Sequence, residues 1–147
     1  MAETLGSLCD KLSIVKLKQY HCDNEHKVHS LATQADQLTS EINEFMAAAI
    51  TGRTPVERLC FSANKVYKQA GNELSPVPTD SIGAAFAELS KINCDLWHEQ
   101  EKVYEFEVVP ANEKNNVVKQ LALLNLRRNQ CIDAIDKVLI RHIQSKI

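Results

Sequence analysis

The 147-residue sequence predicts an all-α fold, an antiparallel helical bundle with long first and last helices. Three observations predict it. Hydrophobic residues make up 44% of the chain, enough at this length for one domain spanning 1–147 with a real core. Glycine and proline number only four each, leaving little turn chemistry for hairpins. Between those breakers, apolar residues recur at heptad-like spacing, which suits helices and not strands.

The breaks divide the chain. In 50-ITGRTP-55, Gly52 can end one helix while Thr54 and Pro55 open the next. The stretch 71-GNELSPVPTDS-81 reads as a loop ending in an N-cap at Thr79 or Asp80, and 107-EVVPAN-112 breaks again around Pro110. Helical segments are therefore expected at 4–51, 55–70, 80–106 and 112–146.

The first segment carries two stripes that are out of phase. One is Leu5, Leu8, Leu12 and Val15; the other runs from Ile14 and Leu17 through His21, Val28, Leu31, Ala35, Leu38 and Ile42 to Phe45. An unbroken helix over this span would reach roughly 70 Å, so a hidden turn near 22-CDNEHKVHS-30, with Ser30 as a new cap, competes with one long helix completed by a second copy of the chain. The third segment shows Ile82, Phe86, Leu89, Asn93, Leu96, Gln100 and Val103 on one face, and the last shows Val118, Leu121, Asn125, Arg128, Ile132, Ile135 and Leu139. Long helices with short connections pack antiparallel.

Charge narrows the function classes. A net charge of −2 argues against a general nucleic-acid binder, which carries a strongly basic face. Residues 80–108 hold seven acids against Lys91 and Lys102, while 112–147 hold seven bases against three acids, so the last two helices should attract as neighbours. No apolar run approaches the roughly 20 residues of a membrane span. Five scattered cysteines without a C-x-x-C pair, and no signal-peptide pattern at the N-terminus, suggest reduced thiols in a cytoplasmic protein.

Polar residues interrupt the inward stripes. Asp10, Ile14, Leu17 and His21 share one side of the first helix, with Lys11 on a neighbouring face. Asn93, Asn125 and Arg128 sit on the other two stripes. A core arginine needs an acidic partner, so Arg128 is expected to meet Asp10 or Glu101, with His21 and Asn93 nearby. Such a group either fixes helix register or forms a pocket, in which arginine and lysine with asparagine and histidine suit a small anionic ligand such as a carboxylate or phosphate. Trp97 flanks its core stripe and is either boundary packing or part of that site. A base–orienter pair of His21 and Asp10 has no identifiable nucleophile.

Other motifs carry less. Cys22, His26 and His29 share one helical face and Cys94 with His98 another, but the second pair lies nearly opposite its own core stripe, so no metal site is expected. Glu41 and Glu44 form an E-x-x-E without a matching E-x-x-D at a workable distance, and Asp133 with Asp136 reads as a solvated face. No cofactor motif is present.

The stretches 6-GSLCDKLSIVKLKQYH-21, 92-INCDLWHEQE-101 and 125-NLRRNQCIDAID-136 together resemble a group of small all-helical bacterial proteins of unknown function, some of them associated with cell-surface polysaccharide gene clusters. The resemblance covers about a third of the chain, in the same order. It implies no activity, but its patterned residues are the same inward polar ones. Gln100 stands where the pattern has an acid, which counts against a paired-carboxylate role. The sequence as a whole points to a non-enzymatic binding or accessory protein, expected to form a homodimer because of its two-faced first segment and the flanking Trp97 and Tyr104. The alternative is an enzyme acting on a phosphorylated sugar or nucleotide.

Overall fold

A computed structural model describes residues 2–61, 77–78 and 80–145. Its four α-helices are α1 (Leu5–His21), α2 (Glu25–Ile50), α3 (Ile82–Tyr104) and α4 (Lys114–Gln144), with single 3-10 turns at Val56–Arg58 and Phe106–Val108 and no strand among the described residues. The all-α bundle is as expected.

Local chemistry sets the boundaries. Thr4 caps α1 in a reciprocal box: its hydroxyl accepts from the Ser7 N–H at 3.2 Å, and the Ser7 hydroxyl accepts from the Thr4 N–H at 2.8 Å. The first segment is two helices. α1 stops at His21, and the Asn24 side chain starts α2 by accepting from the amides of His26 and Lys27 at 3.0 and 3.3 Å. Ser30, expected as the cap, lies inside α2; asparagine three residues after a helix end wins because its carbonyl reaches the free amides of the new first turn. Gly52, at φ +76°, follows the α2 C-cap Thr51 in the left-handed conformation that glycine adopts without strain.

α3 is capped by Ser81, whose hydroxyl accepts from the Ala84 N–H at 3.1 Å, one residue later than the expected Asp80. Of the helix expected over 55–70, the described part is only the 3-10 turn, and 62–70 lie outside the described residues, as does Thr79.

α1 is the central element, packing against α2, α3 and α4, while α3 and α4 pack along each other. The three-residue turn makes α1 antiparallel to α2. Contacts of Gly6 with Asp136 and of Asp10 with Arg128 make it antiparallel to α4. The main core joins Leu5 of α1, Ala49 of α2, Leu89 and Ile92 of α3, and Ile135 of α4. A second cluster, Val15 with Leu31 and Ala35, closes the α1–α2 hairpin. Most of both stripes of the first segment is covered within one chain, while His21 and Val28 stay exposed.

The opposite charges of the last two helices meet as Arg127 Nη2 and Glu88 Oε1, 3.1 Å apart and largely shielded from water. In α4 the buried line is Val117, Cys131 and Val138 at seven-residue spacing, with Leu124 packed against the core, whereas Val118 and Asn125 of the expected stripe are exposed. The buried line keeps the heptad interval but lies one residue before the expected stripe, and the buried face is wide enough to include both Val138 and Leu139 only in the C-terminal half of the helix.

Candidate functional site

The inward face of α1 delivers Asp10 to the junction of three helices, where it is 7% exposed. From α3, the buried Asn93 donates its Nδ2–H to Asp10 Oδ1 at 3.0 Å. From α4, Arg128 brings Nε to 3.8 Å from the same oxygen. That is an ion pair but too long for a hydrogen bond, and Nε is buried without a hydrogen-bond partner. An unmet charged donor out of water is costly, which makes Arg128 the unsettled member of the group.

The group opens into a cleft of about 570 Å³ between the N-terminal half of α1 and the C-terminal half of α4. Asp10, Lys11 and Arg128 line it together with Ser7, Asp133 and Asp136. Lys11 pairs with Glu3, and Glu3 also accepts from the Ser7 hydroxyl at 2.7 Å; the lysine holds the Glu3 carboxyl below its ordinary value against partial burial, which acts to raise it.

Asp136 corrects the sequence reading. Expected on a solvated face, it is 2% exposed and accepts the Gly6 N–H at 2.7 Å. Burial pushes its carboxyl up to about 6, over the opposing effects of the Gly6 amide and the Thr4 hydroxyl, which favour the ionised form. Gly6 is what allows this approach: a Cβ there would overlap the Ile132 carbonyl and come within 2.9 Å of Asp136 Oδ1. The signal was present in the sequence, since Arg128, Ile132 and Asp136 are spaced i, i+4 and i+8 on one side of α4. Nearby Cys9 is also pushed up, to about 11, by burial and by Asp136 and Asp10, which favours the protonated thiol.

Four of the eight predicted site residues come together here: Asp10, Lys11, Asn93 and Arg128. His21 does not. It shares a face with Asp10 but lies eleven residues further on, about 16 Å along the helix, so the two are not a base and its orienter. His21 is exposed and stacks on Trp97, with ring centres 4.7 Å apart and planes at 10°. This stack sits beside a separate open depression lined by Lys18, Cys22, Asn24 and Lys27. Glu101 is exposed and lies 3.6 Å from His98 Nδ1, leaving Asp10 as the partner of Arg128; Asn125 is exposed on α4.

No His, Cys, Asp or Glu groups of three or more are placed to hold a metal among the described residues. All five cysteines are free thiols. No helix among the described residues is long and apolar enough to cross a membrane. Set against known proteins, the chain matches no family model, no curated protein and no solved structure.

Proposed function

We propose that this chain is a helical-bundle binding or accessory protein that takes a small ligand into the cleft between α1 and α4, with an anionic oxygen of the ligand accepting from Arg128. The observation that carries the reading is the buried Arg128 Nε without a hydrogen bond at the wall of a 570 Å³ cleft. Guanidinium groups pair with carboxylate and phosphate oxygens through several donors at once. Asn93 holds the Asp10 carboxylate, Asp10 faces the guanidinium at ion-pair distance, and Lys11 stands on the same wall. The resemblance to small all-helical bacterial proteins near surface-polysaccharide genes belongs with this proposal as a context for such a binder. One observation favours the enzyme on a phosphorylated sugar or nucleotide: Asp136, raised to about 6 by burial, is suited to proton transfer near neutral pH.

The test is a thermal-shift titration with sodium phosphate and sodium acetate at constant ionic strength, on wild type and Arg128→Met. Wild type should show a saturable rise in Tm, and Arg128→Met should keep cooperative unfolding yet lose that rise. A wild type without any saturable response, together with an Arg128→Met protein that is merely destabilised, would make the cluster a structural network.

A further inference from the structure

The α1–α2 turn gathers aromatic rings and lysines at one end of the bundle, away from the Arg128 cleft. His21, the last residue of α1, lays its exposed ring on the half-buried Trp97 of α3, and the exposed Tyr20 meets the His21 ring edge-on at 5.1 Å. Offset stacks and edge contacts at such distances are the arrangements that aromatic quadrupoles favour, so His21 carries the Trp97 stack out of the core and into solvent. His21 and Trp97 flank an open depression of about 570 Å³, which Lys18 and Lys27 also line. Lys18 is one turn before His21 on α1 and Lys27 stands in the first turn of α2, so the three-residue turn brings both lysines to the same depression as the rings. Neither lysine has an ion-pair partner among the described residues. Asp23 of the turn adds a carboxylate acceptor to the lining.

From this arrangement we infer that the depression is a second binding site, one for a nucleoside monophosphate whose base stacks on the His21–Trp97 pair and whose phosphate meets Lys18 and Lys27. Stacking on an aromatic side chain accepts any base, because every base has a π-face. Lysine binds phosphate as a point charge and needs no fixed fork geometry, which suits two exposed and flexible stems. A carboxylate such as Asp23 accepts from ribose hydroxyls. A bare anion would use the lysines and leave the rings idle, and a neutral ring would do the reverse; a nucleotide uses both. The site is independent of the Arg128 cleft, since His21 lies eleven residues beyond Asp10, about 16 Å along α1.

AMP, adenosine and ribose 5-phosphate separate the contributions, titrated by calorimetry into the full chain at constant ionic strength. AMP should bind saturably and about tenfold tighter than either fragment. Trp97 is the chain's single tryptophan, so its emission should change with AMP and with adenosine and stay flat with ribose 5-phosphate. His21→Ala, an exposed change to a strong helix former, should weaken AMP and adenosine about tenfold. Lys18→Gln combined with Lys27→Gln should bring AMP down to the affinity of adenosine. Either fragment binding as tightly as AMP would overturn the proposal, because one half of the nucleotide would then go unread. AMP binding that neither variant weakens would also overturn it, by placing the nucleotide elsewhere on the chain, as would the absence of saturable heat from AMP. Each of these results leaves the Arg128 reading to the phosphate and acetate titration.

Discussion

The Asp136 carboxyl lies under the first turn of α1, where the Gly6 amide donates to it and burial raises its pKa from 3.8 to about 6. Between those two values the folded chain holds a proton that the unfolded chain has released, so stability falls as pH rises through the window and levels off above it. Asp136→Asn keeps an acceptor for Gly6 and removes the ionisation. Urea denaturation near pH 4 and near pH 7.5 should therefore show wild type losing roughly 2–3 kcal/mol relative to Asp136→Asn on going to the higher pH. A parallel pH response of the two proteins would mean that Asp136 ionises as it does in the unfolded chain. At this same scale, sequence spacing identified Asp10, Asn93 and Arg128 as inward polar residues, because helical periodicity reports which face a residue is on. It placed His21 with them wrongly, because a shared face does not bring together residues three turns apart.

At the scale of the element, the α1–α2 turn decides the architecture. Three residues, Cys22, Asp23 and Asn24, convert one two-faced segment into a hairpin, and the Asn24 side chain is the cap that starts α2. Asn24→Ala should cost about 1 kcal/mol, seen as a lower urea midpoint with an unchanged slope. Because Asn24 lies at the far end of α1 from the cleft, phosphate binding should survive this change. An unaltered midpoint would show that the packing of Val15 on Leu31 and Ala35 holds the hairpin without its cap. The turn was legible as a disruption near 22–30, but its cap was not, since asparagine and serine both accept from free amides and only the path of the chain selects between them. The α4 stripe was legible at its C-terminal half, where the buried face is wide, and misread at its N-terminal half, where the narrower inward line runs through Val117 and not Val118.

For the whole molecule, the homodimer expected from the sequence depends on which apolar surface one chain leaves uncovered. Within one chain α1 packs against α2, α3 and α4, while Val28 stays exposed and the His21 ring stacks on one face of Trp97. Among the described residues the exposed large apolar side chains are Tyr20, Val28, Ile50 and Phe61, with Tyr104, Val108 and Val118 around the α3–α4 connection. A standard interface buries roughly 800 Å² on each partner. The homodimer expected from the sequence should show twice the 16.5 kDa of one chain in light scattering at micromolar concentration; a clean single-chain mass would sink it. The sequence by itself determined the helical class, the breaks around Gly52 and Pro110, the attraction between the last two helices and the inward set of Asp10, Asn93 and Arg128, because these follow from periodicity, turn chemistry and charge along the chain. Only the tertiary structure decided that Asp10 and not Glu101 meets Arg128, that His21 leaves the group for Trp97, and that Asp136 is buried beneath Gly6. Those outcomes depend on how far along each helix its neighbours cross, a distance that no pattern within a single helix encodes.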